Sequence, residues 1–192
     1  MAAKPAQAGI KVEMLIRTNM NSRQYQLTSC DVNWLARSMW GECGPKAKDK
    51  AYNAVAYCML QRFMRWPVWG KWDSFAQFVR AFSQPVNPKW SDPDGEFAAK
   101  WPKLFSEAHL KRRDIIQTRP WGLVPEPPKK AAVLFAVGLA DNPVPDAINF
   151  ASRALIKRQG RTGITIGGNT FIDDTQDKMR WRPGKVEIVS VF

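Results

Sequence analysis

One histidine and three cysteines are all that this chain offers as soft metal ligands. Cys30, Cys43 and Cys58 form no C-x-x-C pair, and His109 stands among Lys111, Arg112 and Arg113 in a helical pattern, where it reads as solvated surface. Neither a closed zinc site nor a disulfide framework fits that inventory. Reduced, mostly buried thiols are the expectation, with no metal and no cofactor. No apolar run approaches the roughly 20 residues of a membrane span, and the opening MAAKPAQAGIKVEML lacks the apolar centre of a signal peptide. A protein made in the cytoplasm, without a membrane span and carried to any outside target by other means, is therefore expected. Acids are scarce: 17 Asp and Glu stand against 29 Lys and Arg, a formal charge of +12.

Such a charge draws a protein to polyanions, whether nucleic acid, anionic lipid or an acidic envelope polymer. The cations are scattered, however, with short clusters at KAKDK, LKRRD and IKRQGR, and no RNP, zinc-finger or helix-turn-helix signature accompanies them. Specific nucleic-acid recognition is therefore not expected. What the chain has in quantity is tryptophan. Nine of them in 192 residues imply either a heavily packed core or aromatic faces for bases and sugar rings. The length suits one domain, and 45% hydrophobic residues suffice for a real core.

Residues 1–27 read as an N-terminal arm containing a short strand-like KVEMLI, and residues 28–192 as the main domain. Thr28-x-x-Asp31 is a capping-box pattern, after which Val32, Leu35, Ala36, Met39, Trp40 and Cys43 recur at helical spacing. Asp49 is placed to cap a second helix, and Ala51, Ala54, Val55, Cys58 and Met59 share its face, with apolar residues round most of the rest. That composition predicts a central, nearly buried helix. Arg62 lies on its apolar face, where a carboxylate or backbone carbonyls should meet it. SFAQFVRAF predicts a third helix, and the two prolines of SQPVNPKW an extended loop. Residues 91–118 predict one or two helices capped near Asp92 or Asp94, and KKAAVLFAVGLA another. GITIGGNTFI reads as a β-hairpin and KVEIVSVF as a closing strand. The fold class is α+β, mostly α, with a small sheet.

Glu42 is the conspicuous residue. It falls about 20° from Leu35 on the helical wheel, at the edge of an apolar stripe and near the helix end that Gly41, Gly44 and Pro45 surround. An acid there opposes the helix dipole by some tenths of a kcal/mol. Two readings stay open: a tolerated exposed acid, or a desolvated carboxyl with a raised pKa that donates a proton to a glycosidic oxygen.

The stretch WLARSMWGECGPKAKDKAYNAVAYCMLQRF resembles the opening of the cell wall hydrolase family that includes spore-cortex-lytic enzymes. FSQPVNPKW resembles the Ser-Gln-Pro loop of phage and prophage members, and NPVPDAINFA and IGGNTF follow in the family's order. These four blocks cover roughly residues 31–90 and 138–171. The resemblance implies a lysozyme- or lytic-transglycosylase-like fold that cleaves peptidoglycan glycan strands, with a single catalytic glutamate at the position of Glu42. It marks Ser83, Gln84, Asn87, Trp90, Asn149 and Asn169 as candidate substrate-binding residues, with Trp90 stacking on a sugar ring or packing inward. Relatives carry His where Asn169 stands and often Asn where Gln61 stands; segment 91–128 lies outside the resemblance and reads as a helical insertion. A hydrolase needs a second carboxylate, for which Asp49, Asp73 and Asp146 are the nearest candidates. A lone glutamate suits transglycosylation instead. The expected partners are peptidoglycan and other phage virion proteins, and the expected place of action is the cell wall, after holin release or from the virion. The alternative is a basic virion-associated structural or DNA-binding protein with an inactive lysozyme-like fold.

Overall fold

Helix α1 (Ser29–Cys43) begins at a full capping box: Thr28 Oγ1 accepts from the Asp31 amide, and the Asp31 carboxylate accepts from the Thr28 amide. The computed structural model describes residues 12–17, 23–68, 71–176, 181 and 185–190. Leu35, Ala36 and Met39 on α1 are buried as its stripe requires, and Val32, Trp40 and Cys43 flank them half-buried. Helix α2 (Asp49–Met64) is buried on nearly every side and forms the centre of the core. Lys48 holds its N-cap position without a side-chain hydrogen bond, so Asp49 lies in the first turn and is not the cap expected from sequence.

Helix α3 (Phe75–Phe82) starts at Ser74, whose Oγ accepts from the Gln77 amide. Its Phe75 and Phe78 meet Phe63 of α2, which Tyr25 also meets, so aromatic packing ties α3 to the core. The Asp31 carboxylate also reaches across to accept from the Ala76 amide at 2.6 Å. One buried carboxylate therefore caps two helices. Further along, Ser38 of α1 bonds Ser83 at the end of α3, and both bridges join residues 45 positions apart. The two helices thus run in parallel register over about two turns, roughly 10 Å.

SQPVNPKW is not extended: it forms two successive 3₁₀ turns, Gln84–Val86 and Pro88–Trp90. Proline suits the first turn of a helix because its missing N–H would have no partner there. Helices α4 (Glu96–Lys100) and α5 (Glu107–Thr118) follow, the first capped at Gly95 and not at Asp92 or Asp94. Helix α6 (Glu126–Ala136) begins within the Pro-rich stretch and packs Ala132 and Phe135 on α1 and α2. Helix α7 (Arg153–Arg158) arises in the basic segment, which gave no sequence signal for it.

The strands form two small antiparallel sheets. In one, β1 (Val12–Arg17) lies between β2 (Arg23–Gln26) and β6 (Lys185–Ser190). The expected N-terminal arm thus contributes two strands to a sheet with the chain's last segment, while residues 1–11 and 18–22 lie outside the described ones. In the other, β5 (Asn169–Asp173) lies between β3 (Ala147–Ser152) and β4 (Ile164–Ile166). Gly167 and Gly168, with φ of 60° and 87°, make the two-residue turn of the expected hairpin. The whole is mostly helical with small sheets, the α+β class read from the sequence. Among the described residues no helix is long and apolar enough to cross a membrane.

Candidate active site

Glu42 is half-buried in the last turn of α1, and the parallel register of α1 and α3 brings the end of α3 beside it. Ser83 Oγ donates to Glu42 Oε1 at 2.9 Å, and Ser38 Oγ donates to Ser83 Oγ at 2.7 Å. Both serines are fully buried. The relay occupies one carboxyl oxygen with a donor, so a proton on Glu42 belongs on Oε2, which has no hydrogen-bond partner among the described residues.

Desolvation pushes the Glu42 carboxyl up to about 7 from an ordinary value of 4.5, against smaller opposing effects of the Ser83 hydrogen bond and the Arg112 charge. Such a group holds its proton through mildly acidic pH and exchanges it near neutrality. Arg112 is held by Gly41, whose carbonyl accepts from its guanidinium at 2.8 Å. Burial and the nearby Glu42 raise the Cys43 thiol to about 12, so it is not a nucleophile. Of the three free thiols, expected to be mostly buried, Cys58 is buried, Cys43 half-buried and Cys30 exposed.

The close approach of the Ser-Gln-Pro turn depends on Gly41. A Cβ there would lie 2.1 Å from Pro85 Cβ, so the glycine lets the turn seat against α1 and deliver Ser83 to Glu42. Beneath, Arg37 donates to the carbonyls of Gln117 and Arg119 at 3.2 and 2.7 Å, and to that of Ile116, closing the open end of α5. A cleft of about 420 Å³ opens between α1 and α5, lined by Trp40, Lys111, Arg112, Ile115, Ile116 and Arg119. Arg112 thus borders both that cleft and the carboxyl.

The other sequence candidates divide. Gln84 is half-buried and its amide makes no hydrogen bond among the described residues, so it can meet a ligand. Asn169 is likewise half-buried without a side-chain bond, on a hairpin whose Gly167 presses on Ala51. Cys43 Sγ lies 3.6 Å from the carbonyl of the same Ala51, so the hairpin tip flanks the end of α1. Asn149 accepts from Arg62 Nη1 at 2.8 Å, and Arg62 stacks on Phe82 at 4.4 Å. Asn87 is committed to its own loop: its amide donates to the Ala81 carbonyl and its oxygen accepts from the Lys89 amide. Trp90 packs in a cluster with Phe97, Trp101 and Phe105, stacked on the last two, which is the inward reading and not a free sugar platform.

Asp49, Asp73 and Asp146 are all exposed, and none is bonded to Glu42. The LKRRD cluster is solvated only in part, because Arg113 is buried and donates to the Trp90 and Leu104 carbonyls. His109 is exposed, as expected, with Nδ1 2.7 Å from Ser106 Oγ. Among the described residues no group of His, Cys, Asp and Glu is arranged to hold a metal ion.

The sequence pattern marks Gly41 only as part of the helix end and Arg112 only as one of a basic cluster, and does not single out Ser38. Ser38 carried a usable signal, since it precedes Glu42 by four residues and therefore shares its helix face. Comparisons with family models, with curated proteins and with solved structures found no match for this chain.

Proposed function

We propose that this protein cleaves the glycan strand of peptidoglycan between N-acetylmuramic acid and N-acetylglucosamine, with Glu42 as its single catalytic acid and base. The observation that carries the reading is a desolvated carboxyl, near pKa 7, held at a helix end by a buried two-serine relay. An incidental surface acid needs neither the burial nor the relay. One serine comes from the Ser-Gln-Pro block whose sequence resembles the phage-type loop.

In the first step Glu42 Oε2 gives its proton to the glycosidic oxygen while the bond from that oxygen to muramic C1 breaks. The anionic Glu42 that remains takes the proton of the muramic C6 hydroxyl as its oxygen closes on C1. The product is a 1,6-anhydromuramic end, no water is consumed, and Glu42 is protonated again. Transglycosylation fits the absence of a second carboxylate bonded to or charging Glu42 among the described residues. Arg112 keeps the carboxyl from staying protonated in the second step, because its charge favours the anion.

The cationic surplus holds the enzyme on an anionic envelope without a dedicated binding module. A phage or prophage lysin, reaching the wall after holin release or from the virion, is the setting we propose. The rival, a basic virion or DNA-associated protein, leaves the relay without a purpose. Digesting purified sacculi with the protein and weighing the soluble fragments tests the reading. Anhydro ends, one water lighter than reducing ends, are expected. Reducing ends alone would replace transglycosylation by hydrolysis, and no fragments at all would overturn the enzyme.

A further inference from the structure

A second cleft, of about 560 Å³, opens between the turn that follows α2, the outer face of α3 and the two 3₁₀ turns after it. Its volume is that of a small-ligand site. Lys71, Arg80 and Lys89 line it together with Trp66, Trp72 and Phe97, and no Asp or Glu does among the described residues. Two of the lining residues carry an N–H donor, Trp72 Nε1 and Arg80 Nε, that is buried without an acceptor among the described residues. Orphaned buried donors are rare, because each gives up its bond to water without gaining another. Among the described residues Arg80 has no carboxylate partner; its guanidinium lies 4.4 Å over the Trp34 ring. Among the described residues the one carboxylate that Lys89 reaches is Glu96, at 3.5 Å and with both side chains largely exposed. Asp73, the nearest acid in sequence, is taken by Gln77.

Three cations line one concavity, and two of its lining residues, Trp72 and Arg80 itself, carry orphaned buried donors; together they call for a ligand rich in anionic oxygen. The aromatic walls do not present open stacking faces, because Lys71 Nζ sits 5.6 Å over Trp66 and 5.4 Å over Trp72. A nucleobase would have to displace that cation, whereas a carboxylate pairs with it. The cleft shares α3 with the Glu42 site, since the helix that lines it with Arg80 ends at Ser83.

We propose that this cleft is an anion subsite for the carboxylate-bearing peptide arm of peptidoglycan, held while the glycan lies at Glu42. The choice of a stem peptide rests on the glycan-cleaving reading; the binding of a carboxylate does not.

Calorimetric titration of the full-length protein with a muramyl peptide carrying free carboxylates should give binding, and the same peptide with its carboxylates amidated should bind at least tenfold more weakly. Arg80→Gln should weaken binding roughly tenfold. Lys89→Gln, an exposed change that spares the fold, should weaken it a few-fold and lower its salt dependence. Glu42→Gln should bind the peptide as the unchanged protein does, so loss of wall cleavage and loss of peptide binding are read separately. Equal binding of the amidated peptide, or unchanged affinity in both cleft variants, would overturn the proposal. So would binding of a short oligothymidylate with no binding of the peptide, which would make the cleft a nucleic-acid site. Peptide binding without any wall digestion would leave the subsite standing and remove the glycan chemistry.

Discussion

Ser83 Oγ donates a hydrogen bond to Glu42 Oε1 and accepts one from Ser38 Oγ, so the order of the relay fixes which carboxyl oxygen is free to act. Its hydrogen bond also opposes the desolvation that raises the Glu42 pKa. Ser83→Ala should therefore move the alkaline limb of the activity profile above the unchanged protein's value near 7. It should also lower the rate roughly tenfold, the worth of one buried charge-assisted bond. A pH–rate profile of fragment release checks both, and an unmoved limb would take Ser83 out of the site.

Gly41→Ala should disable the site without touching a functional group. The added Cβ would meet Pro85 at 2.1 Å and push the Ser-Gln-Pro turn off α1. Overpacking of this kind typically costs about 1–3 kcal/mol. Thermal unfolding should show that loss, together with a fall in activity larger than the loss of folded protein explains.

Asp31→Ala should uncouple the two helices whose register builds the site. Its carboxylate accepts from the Thr28 and Ala76 amides and from Tyr25 Oη. Removing it takes the acceptor from the Thr28 and Ala76 amides and orphans buried donors, while the Thr28 and Ser74 hydroxyls keep their own caps, for a loss of roughly 2–4 kcal/mol. Chemical denaturation measures it; a change under about 0.5 kcal/mol would mean that the helices hold their register without the shared cap.

Most of the helices were readable because they carried local signals, whereas α7 in the basic segment carried none. Thr28 and Asp31 announced the start of α1, the apolar wrap of Ala54 to Met59 announced a buried α2, and the paired glycines announced the hairpin. Local signals end there. The double duty of Asp31 and the meeting of Ser38 with Ser83 link residues 45 positions apart, and nothing in either local pattern encodes the other. Trp90 stayed open between a sugar and its own packing for a related reason: a half-polar aromatic loop suits both, and Phe97, Trp101 and Phe105 from the insertion give it the inward packing. Glu42 itself stood out in sequence because an acid at the edge of an apolar stripe breaks the pattern around it.

Stability should depend on pH through Glu42. In the unfolded chain the carboxyl titrates near 4.5, and in the folded protein near 7. Between those values the folded state holds the extra proton, so raising the pH destabilises it, with no further loss above about 7. At about 1.4 kcal/mol per pKa unit the full effect reaches roughly 3 kcal/mol as an upper limit. Glu42→Gln lacks this loss, so its melting temperature should gain on the unchanged protein as pH rises from 4.5 to 7. A difference that stays flat across that range would mean the carboxyl is not desolvated.

The most direct test is wall cleavage by the Glu42→Gln protein beside the unchanged one, on purified sacculi near pH 6, with folding verified by melting temperature. Glutamine keeps the size and can still accept from Ser83, but it has no proton for the glycosidic oxygen. A residue that acts in both steps should cost about 10³–10⁴-fold in rate. Fragment release should therefore vanish from the variant while its melting temperature equals or exceeds that of the unchanged protein. Undiminished release of glycan fragments by a folded Glu42→Gln protein would contradict the role of Glu42 and the glycan-cleaving function with it.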